Sequence, residues 1–359
     1  MVDKVLLAAP RGFCAGVDMA IKALAWMVRA FPPPVYCYHE IVHNRLVVDR
    51  FRDLGVVFVD DVAEVPEGAP LMLSAHGSAP EVVQAARARG GMVVDAVCPL
   101  VTKVHHEVKT RAERGYTVVY VGHEGHDEAI GTMAVAPESV RLVETEADIA
   151  ALEDPGTDIA LLAQTTLSHD EWSGVRDALV KKFPRTWMPG RSDLCFATTN
   201  RQAALKEIAQ RADSILVIGS ENSSNTMALV RVVSSGGRPV IRVNGAEEVP
   251  DGLEGTVAVT AGASAPEEVV RAVIERLAPR DGVEEVSVTE EDEYFPLPPE
   301  LRDLVRSLTS AFSVASFALP DPKAALGQDR KVTAGDVLVN LTAPAPHRTE
   351  SAVAPSAPR

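Results

Sequence analysis

Three cysteines sit where a thiol can do chemistry. Cys14 lies in Pro10-Arg11-Gly12-Phe13-Cys14-Ala15-Gly16, Cys98 in Asp95-Ala96-Val97-Cys98-Pro99-Leu100, and Cys195 in Ser192-Asp193-Leu194-Cys195-Phe196-Ala197. Each follows a short apolar or extended run (Val5 to Ala9, Met92 to Asp95, Thr186 to Met188) and precedes a helical stretch, so each thiol is expected beside the free amides of a helix N-terminus. That position favours the thiolate, the form that binds metals and attacks electrophiles. The fourth cysteine, Cys37, falls inside the apolar run Val35 to Tyr38 and reads as core packing. No C-x-x-C pair is present, which argues against a structural zinc site and a disulfide framework. Three thiolates from three separate segments suit an iron–sulfur cluster with one iron left open, able to bind a substrate oxygen as a Lewis acid.

Other polar landmarks recur with the cysteines, which stand 84 and 97 residues apart. His43, His126 and Ser223, in the strings His39–Asn44, His123–Glu128 and Ser220–Asn225, are spaced by 83 and 97. Ser78, Ser168 and Ser264 are spaced by 90 and 96, and the strings around the first and third, Ser74 to Glu81 and Thr260 to Glu267, are nearly the same. One long period shared by three landmarks predicts a threefold repeat of about 90 residues: repeat 1 over 1–97, repeat 2 over 98–193 and repeat 3 over 194–300.

Positioning such landmarks is the task of the elements between them. In each repeat β-branched runs alternate with helical stretches, as in Val5–Ala9, Val17–Arg29, Val35–Tyr38, Asn44–Leu54, Val56–Val59, Leu71–Ser74 and Pro80–Arg89. The pattern predicts an α/β fold of three small domains whose parallel sheets are covered on both faces. Ligands bind at the carboxyl ends of strands in such sheets, and every landmark follows a strand end. A pseudo-threefold arrangement would therefore turn three thiolates and a ring of His, Ser, Thr and Asn toward one central cluster. Residues 301–359 break the pattern and read as a C-terminal appendage: a helix over Leu301 to Val314, a short strand over Val337 to Leu341, and from Ala343 to Arg359 an Ala/Pro/Ser/Thr run expected to be disordered.

Composition narrows the partners. Thirty-five basic against 50 acidic residues give a net charge of −15, which excludes a general nucleic-acid surface. Aromatic residues at 5% suit Val/Ala/Leu-built layers rather than an aromatic-rich sandwich. The first residues carry Asp3 and Lys4, and Ala20 to Phe31 is broken by Lys22 and Arg29, so neither a signal peptide nor a membrane span is expected, and the location reads as cytoplasmic. His39-Glu40-Ile41-Val42-His43 matches the zinc-protease H-E-x-x-H, but Pro32-Pro33-Pro34 and an apolar strand run straight into it and no helix is expected there.

Taken together, Pro10–Gly16, Val42-His43-Asn44, Ser74–Gly77, Asp95–His105, Gly125–Glu128 with Gly131-Thr132-Met133, Gln164–Ser168, Cys195–Arg201 and Gly219–Asn225 resemble the 4-hydroxy-3-methylbut-2-enyl diphosphate reductase family over about residues 3 to 290. The resemblance implies the last step of the methylerythritol phosphate route to isoprenoids: reductive dehydroxylation of (E)-4-hydroxy-3-methylbut-2-enyl diphosphate to isopentenyl and dimethylallyl diphosphate. It implies that Cys14, Cys98 and Cys195 hold a [4Fe–4S] cluster whose open iron takes the substrate hydroxyl. It further implies that His43, His76, His126, Ser223, Ser224, Asn225 and Ser264 bind the diphosphate, and that Glu128 is the proton source, directly or through Thr165 or Thr166. Thr165 is also placed against the substrate. With no G-x-G-x-x-G after a strand and no flavin motif, electrons are expected from a partner such as ferredoxin or flavodoxin. A monomer or weak homodimer is expected.

The chain departs from the family in having Asp127 where Pro is common and Ile130 where a second acidic residue is common. Two other classes fit part of the pattern. An iron–sulfur hydro-lyase acting on a small anionic substrate would need no external reductant, and a non-catalytic iron–sulfur or zinc sensor would need no anion-binding ring.

Overall fold

Three parallel sheets account for the strands among the described residues. The computed structural model describes residues 1–234, 236–315 and 329–341. Strand β1 (Val2–Ala9) leads into helix α1 (Ala15–Ala30). A first sheet follows, built from β2 (Val35–Tyr38), β3 (Val56–Val59), β4 (Leu71–Leu73) and β5 (Val93–Asp95) in the order β3-β2-β4-β5, with α2 (Arg45–Asp53) and α3 (Pro80–Ala88) as crossovers. Helix α4 (Pro99–Glu113) opens a second unit, in which β6 (Thr117–Val121), β7 (Val140–Val143) and β8 (Ile159–Ala163) pair in the order β7-β6-β8. Its helices are α5 (Asp127–Met133), α6 (Glu146–Ala151) and α7 (His169–Lys182). Helix α8 (Phe196–Ala209) opens the third, with β9 (Ser214–Ile218), α9 (Ser224–Ser234), β10 (Val240–Val243), β11 (Gly255–Ala261), α10 (Glu267–Leu277) and β12 (Val283–Ser287).

Strand alternation explains why these runs are apolar throughout. In β9, Ile215 and Val217 face one core while Leu216 and Ile218 face another; in β8, Leu161 and Ala163 face one and Ala160 and Leu162 the other. A sheet with helices on both faces buries both sets, and each buried Val, Leu or Ile contributes roughly 1.5–3 kcal/mol of transfer free energy.

Three expectations are corrected. The sequence places β1 in repeat 1, but it pairs with β11 and β12 (Val5 opposite Val257 and Val283), giving the third sheet the order β10-β9-β11-β1-β12. Its two faces feed both cores of that sheet, Val5 and Leu7 one, Leu6 and Ala8 the other, so only an interior strand position satisfies it. The segment expected as a strand over Val337–Leu341 belongs instead to helix α12 (Ala334–Asn340). Thr333 Oγ1 accepts from the Asp336 N–H and the Asp336 carboxylate accepts from the Thr333 N–H, a reciprocal cap that starts a helix. Thr186–Met188 is not a strand; Trp187 makes one isolated bridge to Ala160.

Part of the expected appendage packs into the core. Leu301 in the first turn of α11 (Pro299–Ala315), with Ala334, Leu338 and Leu341 and with Leu297 just before the helix, packs with Ile21, Leu24 and Val28 of α1. Lys22, only 3% exposed, lies 3.2 Å from both Asp18 and the Asp329 carboxylate, and Tyr294 donates its hydroxyl to Asp329 at 2.6 Å. The run expected to be disordered, Ala343–Arg359, lies outside the described residues.

Candidate active site

Cys14, Cys98 and Cys195 are the N-caps of α1, α4 and α8, one at the helix that opens each unit. Their backbone N–H groups donate to loops that follow sheet strands: Cys14 to Ala263 O at 3.1 Å, Cys98 to Ala75 O at 3.0 Å, Cys195 to Thr165 O at 3.0 Å. Each thiol is thus stitched to a loop beyond the end of a different sheet. A Cβ on Gly16 would stand 2.8 Å from Cys98 Sγ and 4.0 Å from Cys14 Sγ, so glycine leaves the room in which these thiols converge. Cys195 Sγ accepts from Thr198 N–H at 3.2 Å; Thr198 Oγ1, 3.0 Å from that sulfur, accepts from Asn225 Nδ2 at 3.1 Å, and Asn225 Oδ1 accepts from Ala263 N–H at 2.9 Å.

At Cys98 and Cys195 the expected thiolate preference does not survive burial. Desolvation, with the nearby Cys14, pushes the Cys98 thiol well up and the Cys195 thiol up to about 11 despite its helix end and Thr198. A bound cation reverses that balance, because it ligates thiolates outright. Three convergent thiols, a glycine-made space and only one neutral side-chain hydroxyl against a sulfur form a donor set that fits an iron–sulfur cluster held by three ligands.

The histidines line the same cavity as the thiols. His43 and His76 stack with centroids 3.9 Å apart and planes 15° apart, and His126 meets both edge-on. The Glu128 N–H donates to His126 Nδ1 at 3.1 Å, so neutral His126 carries its proton on Nε2. Burial, then the charge of His43, holds His126 at about 4. Ser264 Oγ donates to His43 O at 2.9 Å, and His43 Nδ1 lies 3.3 Å from Glu40, which accepts from Asn222. His43, His76 and Asp127 bring ligand atoms within 4.8 Å of one another. The stacked rings direct their in-plane lone pairs side by side rather than at one point, which suits a histidine pair with a counter-ion better than a metal cage. The H-E-x-x-H match forms no helix: His39 has a φ of 56° and residues 40–44 are loop.

Glu128 lies in the first turn of α5 and is 2% exposed. Thr165 donates its N–H to Oε1 at 2.7 Å and its hydroxyl to Oε2 at 2.9 Å. Desolvation outweighs these bonds and lifts the carboxyl to about 7. Gln164 Nε2 donates to Thr166 Oγ1 and Ser224 Oγ, and Thr166 donates to Ser224 Oγ at 2.9 Å, joining the second unit to α9. Ser223 Oγ accepts from Thr226 N–H at the start of α9.

Every residue to which the family resemblance assigns a role, Thr166 included, lines one cavity of about 110 Å³. The sequence reading missed several others. Gln164 and Thr198 lay within the motif strings but carried no signal separating them from their neighbours. Phe295 lines the cavity near Phe196, 6.5 Å between centroids, from a segment without periodicity. Arg201, 1% exposed, donates to Gly12 O, Phe13 O and Ala197 O and pairs with Glu291 at 2.9 Å, bracing the Cys14 loop. No helix among the described residues is long and apolar enough to cross a membrane.

Fold and site define a three-sheet α/β enzyme with a buried carboxylic acid at a histidine- and hydroxyl-lined, thiol-bearing cavity. Residues 5–278 match the family described as LytB protein, and the chain belongs to that family. A 4-hydroxy-3-methylbut-2-enyl diphosphate reductase from Rhodopirellula baltica is 50% identical over 305 residues, covering 83% of this chain and 96% of the relative. One from Streptomyces avermitilis is 47% identical, covering 86% and 93%. The solved E-1-hydroxy-2-methyl-but-2-enyl-4-diphosphate reductase of Plasmodium falciparum superposes with a TM-score of 0.82 at 32% identity, over 86% of this chain and 99% of that one.

Proposed function

We propose that this chain is a 4-hydroxy-3-methylbut-2-enyl diphosphate reductase, converting (E)-4-hydroxy-3-methylbut-2-enyl diphosphate into isopentenyl and dimethylallyl diphosphate in isoprenoid synthesis. The observation carrying this reading is the convergence of three thiols, a histidine and hydroxyl wall and one buried acid on a single cavity. Cys14, Cys98 and Cys195 would hold a [4Fe–4S] cluster. When bound, that group would relay electrons to the substrate and supply Lewis-acid chemistry.

The remaining work falls to the chain. His43, His76, His126, Ser223, Ser224, Asn225 and Ser264 bind the diphosphate, through imidazole, hydroxyl and amide donors and the N-terminus of α9. Val42, Leu100, Val101, Phe196 and Phe295 give the carbon skeleton an apolar wall that excludes water. Glu128, near half-protonated at neutral pH, hands a proton to the substrate, and Thr165 fixes the direction of that carboxyl and contacts the substrate. Over one turnover two electrons and two protons enter, the hydroxyl C–O bond breaks and water leaves. The electrons come from a ferredoxin- or flavodoxin-type partner, and the enzyme works in the cytoplasm.

The test is anaerobic purification with iron and sulfide analysis, then electron paramagnetic resonance with and without substrate and turnover with a chemical reductant. A reducible cluster whose signal changes with substrate, and reductant-dependent product, are expected. A colourless, iron-free protein after anaerobic reconstitution would end the reading; conversion without a reductant would move it to the hydro-lyase class.

A further inference from the structure

Two cations behind the thiols repeat one arrangement, and neither lines the cavity. Arg201 lies six residues after Cys195 on α8 and donates to Gly12 O and Phe13 O, the carbonyls that run into Cys14. Lys103 lies five residues after Cys98 on α4. Its Nζ donates to Arg191 O and Ser192 O at 3.2 Å each and to Asp193 Oδ1 at 3.0 Å, in the loop that runs into Cys195. In both cases the helix capped by one thiol grips the chain just before another thiol. Among the described residues the third such link is missing: α1, headed by Cys14, carries Lys22 and Arg29, but Lys22 is taken up by Asp18 and Asp329, and neither bonds to the loop before Cys98.

We propose that Lys103 is a positioning residue of the thiol site: it ties the Cys195 loop to the helix headed by Cys98, so that those two sulfurs hold their relative places before any group binds. This rests on reading the three thiols as ligands of one bound group. Cys195 is the thiol that most needs such a tie. Cys14 and Cys98 follow strands β1 and β5 within five residues, so a sheet places each of them. Residues 183–194, which lead to Cys195, contain no helix and only the isolated bridge from Trp187 to Ala160. A segment without a ladder keeps its conformational freedom unless side chains and capped backbone groups remove it. Lys103 removes it at three consecutive residues, and a charged donor makes stronger bonds to carbonyls than a neutral one. Asp193 carries the restraint on to the second sheet, because its Oδ2 accepts from the Ala163 N–H at 3.2 Å, at the end of β8. The carboxylate is buried while the ammonium is partly exposed, so the pair is anchored on the loop side.

Removing Lys103 sets geometry against charge. Lys103→Met leaves the Asp193 carboxylate unpaired two residues from Cys195, which on charge alone draws a cation in more tightly, whereas a loosened Cys195 loop binds it more weakly. Apoproteins of wild type, Lys103→Met and the double variant Lys103→Met/Asp193→Asn are titrated anaerobically with cadmium, a thiol-seeking cation, and followed by the thiolate–cadmium absorption in the ultraviolet. The double variant removes both charges at once, which costs far less stability than stripping one partner of a buried pair, and circular dichroism checks that each variant is folded. Both variants should bind cadmium about tenfold to a hundredfold more weakly than wild type, the scale on which outer partners of a metal site act. After anaerobic reconstitution, both should also lose iron to a chelator about tenfold faster. Wild-type cadmium affinity in either folded variant, or tighter binding by Lys103→Met, would overturn the proposal. A wild type that takes cadmium on its thiols but no iron and sulfide would count against the cluster reading alone, because the cadmium titrations judge Lys103 without it. No thiolate–cadmium absorption in wild type would overturn both.

Discussion

Thr165 gives both of its donors to Glu128, the backbone N–H to one carboxylate oxygen at 2.7 Å and the hydroxyl to the other at 2.9 Å. Both oxygens are held, yet burial still keeps the proton on to about pH 7. A carboxyl raised from 4.5 in the unfolded chain contributes stability that is fully present below pH 4.5 and lost as pH rises through 7. Glu128→Gln removes that loss, so the variant should be more stable than wild type at pH 8 by on the order of 2–3 kcal/mol, with the gap closing below pH 4.5. Turnover should nearly vanish while substrate binding persists. Urea melts at pH 4 and pH 8 beside steady-state rates check both halves; normal turnover would remove Glu128 from the acid role.

Thr165→Val deletes the hydroxyl donor and leaves Glu128 Oε2 without its partner. The ionised form loses more than the neutral form, so the carboxyl rises further. We expect kcat to fall about tenfold, the typical scale for disturbing a positioned acid, and the alkaline limb of kcat to move to higher pH. Thr165→Ser, which keeps the hydroxyl, should behave close to wild type in the same pH–rate series.

Gly16→Ala places a methyl group 2.8 Å from Cys98 Sγ. The sulfur must swing away, and the thiols no longer converge. Iron and sulfide per chain after anaerobic reconstitution should drop to less than half of wild type, while apoprotein melting changes by only about 1 kcal/mol, within the range of ordinary single substitutions. Full iron loading would show that the space beside Gly16 is not used by a bound group.

Glu291→Ala strips the counter-charge from Arg201, which is buried against Gly12 O, Phe13 O and Ala197 O. Because those carbonyls still accept from the guanidinium, the loss should be about 2–3 kcal/mol, the scale of a charged hydrogen bond, rather than the larger cost of an isolated buried charge. Denaturant melts of the apoprotein measure it. No change would mean that the carbonyls suffice.

Leu338→Ala tests how firmly the last helix is docked. Leu338 is buried with α1 residues, and a buried leucine truncated to alanine costs about 2–5 kcal/mol where the neighbours cannot collapse. A change below about 0.5 kcal/mol, the level of an exposed site, would show α12 to be a loosely attached surface element.

The gathering of the candidate site residues was legible in this sequence because they sit where local signals are strongest. Cys14, Cys98 and Cys195 precede helix starts, the histidines and serines follow strand ends, and the repeat spacing linked them before any coordinate did. Contacts that depend on which strand pairs with which, or on a side chain reaching across units, were not legible. Nothing near Val5 names Val257 as its neighbour, and nothing near Thr166 names Ser224. The Val337–Leu341 segment misled because its apolar residues are too few to separate a two-residue from a helical period, and the reciprocal Thr333–Asp336 cap decided it. The helix-end argument for thiolates failed at Cys98 and Cys195 because desolvation is invisible in a sequence.

The position of β1 bears on the order of events during synthesis. Its partners, β11 and β12, begin at Gly255 and Val283, so β1 waits unpaired while the chain between them is made, about ten seconds or more at typical elongation rates. Cys14 follows that strand directly, and its N–H bonds to Ala263 just past β11. A metal offered to the growing chain before then meets at most Cys98 and Cys195 in place. Insertion of any group that needs all three thiols is therefore an event of the finished chain, and a ribosome-bound fragment ending before Gly255 should not acquire it.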